Sequence, residues 1–147
     1  DRYLTGAGEG LSVKARDGAV EVKQRSGPSV PFTAGHAAGA IEAWRKVALP
    51  GVDPAAIDAL EHVDIVKRRL LGRLVGPGPA VAAELTEVEI AGRLAWTVGI
   101  EAEAVAGLTA GRLVARLEPA LAAANAPDLP ADTCLGYPAW LARCAGR

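Results

Sequence analysis

SVKARDGAVEVKQR, residues 12–25, decides how the rest of the chain is read. Val13 and Ala15 alternate with Ser12, Lys14 and Arg16, and Val20 and Val22 alternate with Glu21, Lys23 and Arg25. Between the two runs stands Asp17-Gly18, a dipeptide that supplies the positive φ a tight hairpin turn needs. Two strands are expected, over residues 11–16 and 19–25. Because strand side chains alternate between faces, the hairpin has one charged face and one apolar face. Lys14, Arg16, Lys23 and Arg25 are thereby concentrated in a protein whose formal net charge is only -1.

Outward from the hairpin, SGPSVPFTAGHAAG at 26–39 is rich in Gly, Pro and Ser and reads as a loop. AIEAWRKVAL at 40–49 reads as a third strand, with Glu42, Trp44 and Lys46 on one side. Asp53-Pro54 places a capping residue before a proline at the first helical position and opens a short helix to about Glu61. VDIVKRRLLGRLV at 63–75 is a strand with Lys67 and Arg69 on one parity, and GPGP at 76–79 is a turn. VAAELTEVEI and RLAWTVGIEAEA flank Ala91-Gly92 as a second hairpin. Glu87 and Glu89 share one face of its first strand; in the second, Thr97, Gly99, Glu101 and Glu103 lie opposite Trp96, Val98 and Ile100. A helix is expected from Thr109 to about Asn125, with a break near Pro119, and a last short helix over 136–145. This order predicts an α+β fold, a mostly antiparallel sheet with helices packed on it.

The length, 147 residues, suits a single domain over 1–147 with one core, and a hydrophobic share of 50% excludes a disordered chain. The near-neutral charge excludes general electrostatic attraction to nucleic acid or an anionic membrane, so any anion site must be local. No run approaches the ~20 apolar residues of a membrane span, and the first residues are not those of a secretory signal; a cytoplasmic location is expected. The absence of Met implies that translation began elsewhere than at Asp1. Cys134 and Cys144 lack zinc-site or C-x-x-C spacing and read as packing residues.

Across the strands, the polar faces are segregated by sign. Lys14, Arg16, Lys23, Arg25, Lys67 and Arg69 fall on the early and middle strands, and Glu87, Glu89, Glu101 and Glu103 on the late ones. Two readings follow. In one, these are ordinary solvated faces. In the other, the sheet curls into a barrel whose charged faces line the lumen. A cationic wall in a low-dielectric interior requires a polyanion to neutralise it. Phosphate oxygens suit Arg and Lys, and carboxylates facing the same chamber would meet phosphate through a hard divalent cation, Mg²⁺ or Mn²⁺.

Taken in order, Lys14-Ala15-Arg16, Lys23, Lys67-Arg68-Arg69, Glu87 with Glu89, Glu101-Ala102-Glu103 and Tyr137 resemble the motifs of the CYTH family, the triphosphate tunnel proteins. The resemblance spans Leu11 to Leu141 and rests on the order of short motifs. It implies an antiparallel β-barrel, or tunnel, with helices outside. It also implies that Lys14, Arg16, Lys23, Lys67 and Arg69 hold a triphosphate, to which the charged face of the hairpin adds Arg25, and that Glu101 and Glu103, with Glu87 or Glu89, hold Mg²⁺ or Mn²⁺. The expected activity is metal-dependent hydrolysis of inorganic or small organic triphosphates. The family's opening E-x-E-x-K is not among these residues, which begin Asp1-Arg2-Tyr3; either those glutamates precede Asp1 or this member lacks half its metal site. The alternative is therefore a non-catalytic protein of the same fold that binds phosphoryl ligands or serves as an interaction domain.

Other residues carry less. His36 and His62 have no partner at ligand spacing and read as surface histidines. GAGEG at 6–10 lacks the strand and helix of a phosphate loop and reads as a turn. Trp44, Trp96 and Trp140 read as core residues, with ligand stacking as the alternative for Trp44. A nucleic-acid partner ranks last, no membrane partner is expected, and a homodimer is left open.

Overall fold

The computed structural model describes residues 1–74, 80–123 and 128–145. The chain folds as β1 (Arg2–Leu4), β2 (Leu11–Arg16), β3 (Ala19–Arg25), β4 (Val30–Ala34), β5 (Ala37–Ile41), β6 (Trp44–Leu49), α1 (Ala55–Asp58), β7 (His62–Leu74), β8 (Val81–Ile90), β9 (Arg93–Ala102), α2 (Ala110–Ala123) and α3 (Tyr137–Ala145). It is an α+β protein. A seven-stranded sheet runs β6-β3-β2-β1-β7-β8-β9, and β4 pairs with β5 in a small second sheet. β1 pairs antiparallel with both β2 and β7, and β7, β8 and β9 form an antiparallel meander.

Both expected hairpin turns are present and for the expected reason. Asp17 and Gly18 adopt φ of 48° and 77°, and Ala91 and Gly92 adopt 49° and 74°, the twist-compatible geometry of a two-residue turn. The loop expected over 26–39 instead contains β4 and the start of β5. Pro31 and the glycines hid it, since proline is tolerated on an edge strand of so small a sheet. The third strand is shorter than expected, because 37–41 pair with β4 and residues 42–43 separate β5 from β6. β1 has no counterpart in the sequence reading; three residues are too few to show a period. The expected turn at 76–79 lies outside the described residues.

Contacts divide the chain into two compact units, one of residues 1–4, 13–21 and 48–106 and the other of 5–12, 22–47 and 107–147. In the first, α1 sets Ile57 against Ala15 and Val20 on the apolar face of the hairpin, with Leu4 and Val13 beside them. Asp53 Oδ1 accepts from the Ala55 amide at 2.9 Å and starts that helix. α1 ends at Asp58 rather than near Glu61, with Ile57 its sole buried residue. Along β7 and β8, Ile65, Val81, Thr86 and Val88 are fully buried. In the second unit α2 packs on β4 and continues through Pro119. Gly35 adopts a φ of 56°, and a Cβ there would stand 3.5 Å from the Ala122 amide nitrogen.

Within the first unit α1 covers the apolar face of the β2–β3 hairpin, while part of the β7–β9 meander carries exposed apolar side chains. There Leu70, Leu94, Trp96 and Val98 are 60–69% exposed, so Trp96 is a surface residue rather than the core residue expected.

Candidate functional site

The site follows from the register of β1. Tyr3 stands opposite Lys14 of β2 and Val63 of β7, and residues of the same parity on β7 are Ile65, Lys67 and Arg69. One face of the sheet therefore carries Tyr3, Lys14, Arg16, Lys67 and Arg69 together. Across β8, Val88 is opposite Lys67, Thr86 opposite Arg69 and Glu84 opposite Leu71. On β9 the same face presents Thr97, Gly99 and Glu101. Four of the six cations singled out from the sequence thus share one face of the first unit.

Tyr3 is the centre of this cluster and is only 5% exposed. Its hydroxyl accepts a hydrogen bond from Lys67 Nζ at 2.7 Å. The ammonium groups of Lys67 and Lys14 lie 4.8 and 5.7 Å from its ring centre, within cation–π range. Burial pushes the Tyr3 hydroxyl up to about 12, against the opposing pull of the Arg69 and Arg16 guanidinium groups. The phenol is therefore neutral at physiological pH and can accept from one side while donating to the other.

The Asp1 carboxylate sits among the cations. Its oxygens are 3.5 Å from Lys14 Nζ, 3.6 Å from Arg16 Nε and 3.9 Å from Lys67 Nζ, and the Tyr3 hydroxyl donates to it at 3.5 Å. Each of these is longer than the ~2.7–2.9 Å of a tight charge-assisted bond. Three cations surround one carboxylate without closing on it. Glu21 Oε2 lies 3.2 Å from Lys14 Nζ as an ion pair, although the angles are not those of a hydrogen bond. Arg69 Nε is 3.6 Å from Glu84 Oε1, which also accepts from the Thr86 hydroxyl at 2.5 Å.

These pairs change the electrostatic picture expected from the sequence. Asp1, Glu21 and Glu84 stand among Lys14, Arg16, Lys67 and Arg69, so the signs are interleaved rather than segregated between walls. Parity along a strand orders the residues of that strand; which carboxylate lies across from which cation depends on register, and only the fold sets it.

Of the other expected binding residues, Lys23 and Arg25 belong to the second unit. Arg25 Nη1 donates to Glu42 Oε1 at 2.9 Å and Trp44 Nε1 to Glu42 Oε2 at 3.1 Å, which gives Trp44 a partner within its own unit. Glu87 and Glu89 share a face, as expected, but it is the face opposite Lys67 and Arg69, where Glu87 pairs with Arg68. Glu101 falls on the Tyr3 face, whereas Glu103 lies beyond the end of β9. Tyr137 opens α3 in the second unit, its ring 5.4 Å from that of Trp140.

Tyr3, Asp1, Glu84 and Thr86 were missed. Glu84 and Thr86 carried a readable signal, the shared parity with Val88 and Ile90 that marks the inward face of VAAELTEVEI; the alternation of Glu87 and Glu89 drew attention to the wrong face. A concavity of about 260 Å³, lined by Asp1, Arg2, Arg16, Asp17, Pro54 and Asp64, adjoins the cluster at the turn end of the hairpin.

Glu84 and Glu101 share the Tyr3 face at diagonal positions, and Glu87, Glu89 and Glu103 are elsewhere. Among the described residues no three His, Cys, Asp or Glu side chains are grouped to hold a metal ion. The donor set does not fit a preformed Mg²⁺ or Mn²⁺ centre. Among the described residues no helix is long and apolar enough to cross a membrane. Comparison with family models, curated proteins and solved structures finds no match to this chain.

Proposed function

We propose that this protein binds a small phosphorylated anion, a triphosphate or related polyphosphate, on the Tyr3 face of its sheet. In its full form the proposal is a tunnel protein of the CYTH type, with the sheet curled so that this face lines the interior. The observation that carries the reading is the state of Lys14 and Lys67. Their side chains are 9% and 11% exposed, with the Asp1 carboxylate 3.5 Å from Lys14 and 3.9 Å from Lys67 and the Glu21 carboxylate 3.2 Å from Lys14. A merely solvated face would keep its ammonium groups in water, because burying a lysine is costly without a compensating anion.

The chain's own groups account for binding. Lys14, Arg16 and Lys67 supply the positive charge around the anion. The neutral Tyr3 hydroxyl fixes the Lys67 ammonium in place, and Arg69, held by Glu84, extends the basic face along β7. A phosphoryl group, with more oxygens and more charge than the Asp1 carboxylate, would compete for the same ammonium groups. Hydrolysis assisted by Mg²⁺ or Mn²⁺ is the stronger claim implied by the family resemblance. Among the described residues the carboxylates do not assemble a centre for it, so binding without turnover is the reading favoured here.

The test combines thermal denaturation with phosphate release, using inorganic triphosphate, ATP and thiamine triphosphate, each with and without Mg²⁺ or Mn²⁺. Binding predicts a rise in Tm that grows with triphosphate concentration and is lost in Arg69→Ala and Lys67→Met. No rise at millimolar triphosphate would end the proposal, and metal-dependent phosphate release would restore the hydrolase.

A further inference from the structure

The face of the β7–β8–β9 meander opposite Tyr3 carries exposed apolar side chains. Register places Leu70, Leu85 and Val98 in one row straight across the three strands. The adjacent row is Arg68, Glu87 and Trp96, and the next is Val66, Glu89 and Leu94. Val66, Leu70, Leu85, Leu94, Trp96 and Val98 are each 40–69% exposed. Together they present on the order of 700 Å² to water, comparable with the ~300–600 Å² of the largest patch on an ordinary monomer, which is often functional.

We propose that this face packs against the same face of a second copy of the chain, in a two-fold symmetric dimer. Three observations select that occupant. The exposed area of two such faces is on the order of 1,400 Å², the size of a standard specific interface. The polar groups on the face are of both signs, Arg68 paired with Glu87 of its own protomer and Glu89 beside them, so the face carries little net charge and can meet a copy of itself without repulsion; an anionic bilayer would call for a basic rim instead. The ladders of 65–74 with 81–90 and of 81–90 with 93–102 are paired without a bulge. A regular sheet of this kind stacks on another at ~10 Å with interdigitated side chains. The contact lies on the face opposite Tyr3 and does not depend on what that face binds.

Sedimentation velocity of the 147-residue chain over a range of concentrations tests this. The expected result is a concentration-dependent dimer whose Kd rises at least about tenfold in Val98→Glu and in Leu70→Glu, through burial of unpaired charge. Both positions are exposed in the protomer, so neither change disturbs its core. Arg93→Glu, on the other face of the same strand, should leave the dimer unchanged. Acrylamide quenching of Trp96, read as the difference from Trp96→Phe, should weaken as the dimer forms. A monomer at every concentration overturns the proposal, as does a dimer unaffected by Val98→Glu and Leu70→Glu. A dimer lost in Arg93→Glu alone would place the contact at the β9 edge. Shielding of Trp96 only on adding phosphatidylcholine–phosphatidylserine vesicles would assign the face to lipid.

Discussion

The Lys67 ammonium donates to the Tyr3 hydroxyl at 2.7 Å while standing 4.8 Å from the centre of the same ring. One aromatic residue of a three-residue strand thus holds the charge of a lysine sixty-four positions away. The phenol oxygen and the ring face contribute separately, which makes them separable by mutation.

Tyr3→Phe keeps the ring and removes the acceptor. A hydrogen bond to a charged group is worth about 1.5–3 kcal/mol, so a loss near the lower end of that range is expected from denaturant unfolding. Tyr3→Ala removes the ring as well and should cost about 3–5 kcal/mol, as for other buried aromatics. Equal losses in the two variants would show that the ring contributes nothing beyond the hydroxyl.

The same residue predicts a pH dependence. Burial raises the Tyr3 hydroxyl from 10.0 in the unfolded chain to about 12 in the native state. Between those values the native state binds the proton more tightly than the unfolded chain. The stabilising contribution is therefore complete below about pH 10 and is lost as pH rises through about 12. Denaturation midpoints measured from pH 9 to 11.5 should fall more steeply in the parent protein than in Tyr3→Phe. Parallel curves would contradict the assignment.

Two ion pairs should respond very differently to loss of their cation. Arg68 is 69% exposed beside Glu87, and Arg68→Met should change protomer stability by less than about 1 kcal/mol. Lys14 is 9% exposed between Asp1 and Glu21, and Lys14→Met leaves both carboxylates without that charge in a buried setting. A loss of about 3 kcal/mol or more is expected, with recovery in Lys14→Met/Glu21→Gln. Comparable small losses for both lysine and arginine variants would mean that water reaches the Tyr3 face.

In the second unit a close approach can be tested alone. A methyl group built on Gly39 would overlap Cys134 Sγ. Gly39→Ala should destabilise by about 1–3 kcal/mol through overpacking, and Cys134→Gly in the same chain should recover most of it. Additive effects would show that the two residues do not meet.

What the sequence by itself determined was local. Alternation and the Asp17-Gly18 and Ala91-Gly92 turns were enough to define both hairpins, and the parity of Lys67 with Arg69 was readable because side-chain direction along one strand depends only on backbone geometry. The tertiary structure alone decided which strands became neighbours: β1 lies between β2 and β7, which brings Tyr3 and Asp1 to Lys14, and β8 turns Glu84 rather than Glu87 and Glu89 toward the basic face. It also left Trp96 in water, where a hydrophobic side chain had suggested a core. Pairing partners and cover are set by contacts between residues far apart in the chain, and those contacts leave no period in the sequence.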